Sequence, residues 1–154
     1  MNRKRLTRIF LVGFILLTLV GCSPLTEQLI ANKYAEAVLT KNNELQFRFK
    51  INDSMLTKEE LYKVKVTIHN QDLAEALGTS EIIYGQDIVY SGEYLEANEE
   101  GQQFINMAPV ALKKDLHPFE IQKMIVNDKA ITVEVFNDEH VLARALLTNF
   151  STQL

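Results

Sequence analysis

Glu44-Leu-Gln-Phe-Arg-Phe-Lys-Ile51 alternates without a break: Leu45, Phe47, Phe49 and Ile51 are apolar, and Gln46, Arg48 and Lys50 between them are polar or charged. Successive side chains of a β-strand point to opposite faces, so a period of two predicts a strand with one face in a core and the other wet. The same period returns after Leu61, where Val64, Val66 and Ile68 alternate with Lys63, Lys65 and Thr67. It returns again at Ile131, Val133 and Val135, and Asn137-Asp138-Glu139-His140 then leads into an apolar run over 141–147, which predicts a terminal β-hairpin.

The segments between these strands are short. Asn52-Asp53-Ser54 reads as a turn, and Thr57-Lys58-Glu59-Glu60 as one helical turn capped by Thr57. Leu73 to Leu77 has room for one or two helical turns before Gly78 stops it. Glu81–Tyr84 and Asp87–Tyr90 are apolar runs broken by Gly85 and Gly92, which predicts strands with a bend. Glu93 to Gln103 is acidic and polar and is expected to be an exposed loop. Phe104 to Leu112 is expected to be a strand that Pro109 interrupts or confines to an edge. Phe119 to Val126 fits strand or helix equally. Upstream, Leu29, Ile30, Tyr34, Ala37 and Val38 lie at helical spacing, and Thr26 is a fitting cap, so a short amphipathic helix is expected over 27–40. Six or seven strands without a βαβ rhythm predict a mainly β domain, an antiparallel β-sandwich that is immunoglobulin-like in its finer form.

The first 21 residues differ from the rest. Arg3, Lys4, Arg5 and Arg8 precede the 12-residue apolar stretch Ile9–Val20, which is followed by Gly21 and the only cysteine, Cys22. Twelve apolar residues suit the core of an export signal and fall short of the ~20 that span a bilayer as a helix. Leu19-Val20-Gly21-Cys22 resembles the lipobox of bacterial lipoproteins: an aliphatic residue at −3, a tolerated Val at −2, Gly at −1 and the obligatory Cys at +1. The resemblance covers about the first 23 residues. It implies that a diacylglyceryl group is added to the Cys22 thiol, that cleavage falls between Gly21 and Cys22, and that the new amine is open to acylation by a further chain such as palmitate. Each buried methylene contributes about 0.8 kcal/mol, so two or three such chains anchor stably where one does not. It also implies a location outside the cytoplasm, on the cell membrane or, since Ser23 is compatible with onward sorting, on the outer membrane. The domain plan that follows is a signal peptide over 1–21, a lipidated tether with a short helix over 22–43, and a single β-sandwich over 44–154.

Four of the 16 basic residues precede Cys22, which leaves 12 against 20 acidic ones and a formal charge of about −8 from Cys22 onward. Phosphate recognition needs clustered Lys and Arg, and Lys113-Lys114 is the densest such run, so nucleic acid is excluded as a partner. With one cysteine the domain has no internal disulfide and must be held by its core.

No spacing carries recognisable chemistry. His69, His117 and His140 form no H-x-x-x-H or H-E-x-x-H, no G-x-S-x-G surrounds Ser54, Ser80 or Ser91, and the six glycines form no phosphate-cradling loop, so no metal and no cofactor is expected. Glu59-Glu60 and Glu99-Glu100 are paired carboxylates of the kind solvated faces carry. Tyr84, Tyr90 and Tyr94, set among glycines and acids, are the candidate recognition surface, because tyrosine offers apolar area with a polar tip; the plainer alternative is that one or two of these rings complete the core. Two function classes remain. The favoured one is a membrane-anchored, non-catalytic binding or accessory module that holds an envelope protein or polymer. The alternative is an envelope-directed hydrolase that uses Asp115 with His117, or Glu99 with Glu100, and requires those groups to converge across a cleft.

Overall fold

The computed structural model describes residues 29–31, 34–57, 60–84 and 101–153. Among these residues nine strands follow in chain order: β1 (Glu36–Leu39), β2 (Glu44–Ile51), β3 (Lys63–Ile68), β4 (Glu81–Ile83), β5 (Gln103–Asn106), β6 (Val110–Ala111), β7 (Ile131–Phe136), β8 (Val141–Leu146) and β9 (Asn149–Thr152). Two short α-helices are found among the described residues, α1 (Gln71–Leu77) and α2 (Pro118–Gln122), and α2 runs on into a π-helical turn over Lys123–Asn127. The chain is therefore mainly β. The first sheet has the order β5-β2-β1-β9, with β6 also paired to β2, and the second the order β4-β3-β7-β8. Every pairing is antiparallel except that of β1 with β9.

The alternation in β2 does what its period requires: Leu45, Phe47, Phe49 and Ile51 are buried, and the residues between them are half-buried. Together with Val64 and Val66 of β3 and Val133 and Val135 of β7, these side chains belong to one contiguous apolar cluster, so both sheets contribute to a single core. At about 25 cal/mol per Å² of apolar surface removed from water, that cluster is the main stabilising term of a fold without disulfides.

The segment expected as an amphipathic helix is corrected by the structure. Residues 36–39 form β1, placed between β2 and β9. Thr40 to Asn43 make a tight turn in which Asn43 N–H donates to the Thr40 carbonyl at 3.2 Å and Asn43 takes φ 58°, the left-handed conformation that closes a three-residue hairpin loop. The Thr40 hydroxyl accepts from the backbone N–H groups of Asn42 and Glu44. Strand pairing on both sides outweighs the local helical spacing, and Ala37, Val38 and Leu39 are all buried, as suits a central strand rather than one face of a helix. Upstream, Ile30 bridges to Ile51, and Leu29 and Ile30 are buried, so the folded body extends into the stretch assigned to a tether. The parts of the expected helix at 27–28 and 32–33 lie outside the described residues, as do the signal segment, the middle two residues of the Thr57–Glu60 turn, the Asp87–Tyr90 strand and most of the Glu93–Gln103 loop.

Elsewhere the local signals hold. The β7–β8 hairpin forms, Gly78 caps α1 at φ 74°, and β5 and β6 are separated around Pro109. The stretch after His117, open between strand and helix, is helical because Pro118 stands at the first helical position and Glu120 closes a capping box with His117.

Candidate functional site

Of the three candidate tyrosines, Tyr84 is described; Tyr90 and Tyr94 lie outside the described residues, as do Gly21, Cys22, Glu99 and Glu100. Tyr84 follows β4, its N–H donates to the Val64 carbonyl at 2.9 Å, and its half-buried ring packs against the core cluster. This position matches the alternative in which the ring completes the core.

The histidines are tied into local structure. The Nδ1 of His117 accepts from the Phe119 N–H at 3.2 Å while the Glu120 carboxylate accepts from the His117 N–H at 3.0 Å, so this imidazole works as a helix cap. Nε2 of His69 lies 2.6 Å from the Thr132 hydroxyl, and the backbone N–H of exposed His140 donates to Asn137 Oδ1. Asp115, like His117, is exposed. Among the described residues no group of three or more His, Cys, Asp or Glu side chains is placed to hold a metal ion. No helix among them is long and apolar enough to cross a membrane.

Two surface features emerge instead. The first is an open cleft of about 660 Å³ where α1, α2 and the π-helical turn meet. Asp72, Glu120 and Asp128 bring negative charge to its lining, Lys114 and Lys123 positive charge, and Leu116, Phe119 and Met124 apolar surface. The α1 end is set by the Asn70 cap, whose side chain accepts from the Leu73 N–H at 2.9 Å, and Lys114 is held by an ion pair with Glu75 on α1. Their shared hydrogen bond is the main cause that lowers the Glu75 pKa and raises that of Lys114. Phe119 is 67% exposed, unusual for a ring of its size, and offers a stacking surface within this mixed-charge rim. Such a cleft suits an amphipathic segment or polymer with polar groups of both signs better than a bare anion or cation.

The second feature lies on the outward face of the first sheet. Phe104 of β5 stands opposite Lys50 of β2, and the Tyr34 and Phe104 rings meet edge to face with centroids 6.3 Å apart. The Lys50 ammonium sits 5.0 Å from one ring centroid and 5.1 Å from the other, within cation–π range of both. These residues are separated by as many as 70 positions in the chain, so no local spacing announces them.

No protein family, curated protein or solved structure matches this chain.

Proposed function

We propose that the chain is a lipid-anchored envelope protein whose β-domain is a non-catalytic binding or accessory module, holding an envelope protein or polymer close to the membrane. The observation that carries this reading is Leu19-Val20-Gly21-Cys22, set behind a basic segment and a 12-residue apolar stretch. It is supported by the burial of Leu29, seven residues beyond Cys22, which makes the anchor a short leash on a folded body.

Within this reading the two sheets, sharing one core, are the layers of a β-sandwich, and the immunoglobulin-like layout is the narrower form of the same proposal. The cleft lined by Phe119 is the recognition site, with Lys123 facing acidic groups of the partner and Asp72 and Asp128 facing basic ones.

The test expresses wild type beside Cys22→Ala, follows labelled fatty acid and membrane fractionation, and photo-crosslinks from position 119 in cells. Wild type is expected to be labelled and membrane-borne, Cys22→Ala unlabelled, and the crosslink to yield a discrete adduct. Unlabelled, soluble wild-type protein would overturn the anchor, and turnover of envelope polymer by the purified protein would overturn the non-catalytic assignment.

A further inference from the structure

Tyr34 and Phe104 are 42% and 68% exposed. Exposed aromatic rings gathered around a lysine are the composition that water–bilayer interfaces favour, where rings sit at headgroup level and ammonium groups meet anionic lipid. Their position relative to the proposed anchor decides the occupant. The Ala31 N–H donates to the Lys50 carbonyl at 3.0 Å, the Asn52 N–H donates to the Leu29 carbonyl at 2.8 Å, and the Tyr34 N–H donates to the Ala31 carbonyl at 2.8 Å. The chain arriving from Cys22 therefore joins the domain beside this cluster.

Seven residues, fully extended, reach at most about 25 Å. A domain of this size is about 35 Å across by the usual scaling of radius with length. A leash shorter than the domain keeps its point of attachment, and whatever surrounds it, turned toward the surface that holds Cys22. We infer that Tyr34, Lys50 and Phe104 form a contact face for the anionic lipid surface, setting the orientation of the anchored domain. The inference rests on the anchor reading. The net charge of about −8 opposes an anionic surface at long range, but screening at physiological salt limits that repulsion to about 8–10 Å, so a local cation flanked by rings governs the contact.

The experiment introduces a single indole into the full chain, which has no tryptophan of its own. Phe104→Trp reports on the proposed face, and Phe119→Trp, at an equally exposed ring elsewhere, is the control. The membrane-borne proteins are purified and reconstituted into vesicles of phosphatidylglycerol and phosphatidylethanolamine, with and without bromine high on the acyl chains. Retention of the wild-type unfolding midpoint shows that each variant is folded. The expected result is a blue shift and quenching for Phe104→Trp, none for Phe119→Trp, and a reduced quenching when Lys50→Glu is added to Phe104→Trp. Equal quenching at both positions, or at neither, overturns the contact face while leaving the anchor standing. Wild-type protein that takes up no labelled fatty acid overturns the anchor and this inference with it.

Discussion

Strands β2 and β7 carry the same alternation of apolar and polar residues, yet one keeps a wet face and the other does not. In β2, Gln46, Arg48 and Lys50 are half-buried between fully buried neighbours. In β7, Thr132 and Glu134 are themselves buried, at 5% and 7% exposure. Both strands are interior to their sheets, so position alone does not separate them. The difference lies in what the neighbouring strands lay across the polar face. Glu134 is in register with Lys65 of β3 on one side and Arg144 of β8 on the other, and both cations reach it, at 3.3 and 2.6 Å. Their charged ends satisfy the carboxylate, which lets it lie buried in the row. Arg48 has Glu36 and Asn106 as its register partners, but it folds along its own strand and donates to Gln46 Oε1 at 3.0 and 2.7 Å. Equal patterning thus gives unequal burial when the cross-strand row closes in one sheet and stays open in the other.

The largest expected effect concerns the faces on which the strands agree. Phe47→Ala removes a fully buried ring from β2 and is expected to cost about 3–5 kcal/mol, read from denaturant unfolding midpoints. A loss under about 1 kcal/mol would mean that the inward face of β2 is not core, and the comparison with β7 would lose its basis.

Next in size is Glu134→Gln, which leaves Lys65 and Arg144 beside a neutral amide. Hydrogen bonds to charged groups contribute about 1.5–3 kcal/mol, but Arg144 is 67% exposed and screened by water, so a cost of about 1–2 kcal/mol is expected. A variant as stable as wild type would show that the closed row contributes coverage without electrostatic support.

The same carboxylate sets a pH dependence. Burial pushes the Glu134 pKa up, while hydrogen bonds and charge from Arg144 and Lys65 pull it down, and the balance falls below the ordinary value of 4.5. A carboxylate with a depressed folded pKa contributes stability that is present above its unfolded pKa and disappears as the pH falls through the folded one. Wild type is therefore expected to lose stability more steeply than Glu134→Gln from about pH 5 downward, in thermal melts across that range. Parallel acid limbs for the two proteins would contradict the pairing.

How much of this was legible beforehand follows from where each piece of information resides. The faces of β2 and β3 and the β7–β8 hairpin are written in period two, and the α1 stop in Gly78, because each depends on residues close in sequence. The α2 start was readable in Pro118 and Glu120 as a capping pair, a signal the strand-or-helix reading passed over. Strand β1 was hidden because Ala37, Val38 and Leu39 are buried together, which erases the alternation, and β9 because four residues carry too little pattern. The Lys65–Glu134–Arg144 row and the Tyr34–Lys50–Phe104 cluster depend on register between strands far apart in the chain. Residues 19–22, by contrast, resemble a lipobox as one contiguous stretch, so the proposed anchor could be read where the surfaces it would orient could not.

The smallest expected effect is the sharpest test of the open row. Arg48→Ala removes the cation that occupies, on β2, the place that Glu134 occupies on β7: the middle of a three-strand row on the outward face. Its guanidinium bonds a residue of its own strand, Glu36 already accepts from the Ser151 hydroxyl at 3.5 Å, and Gln46 keeps its bond to the Met107 carbonyl at 2.9 Å. The substitution strands no buried charge, and water reaches the half-buried groups that remain, so the change is expected to stay within about 0.5 kcal/mol of wild type. Unfolding midpoints measured beside those of Glu134→Gln decide the matter. A loss for Arg48→Ala as large as that for Glu134→Gln would mean that Arg48 and Glu36 support one another across the strands after all, and that the two rows differ in degree of cover rather than in kind.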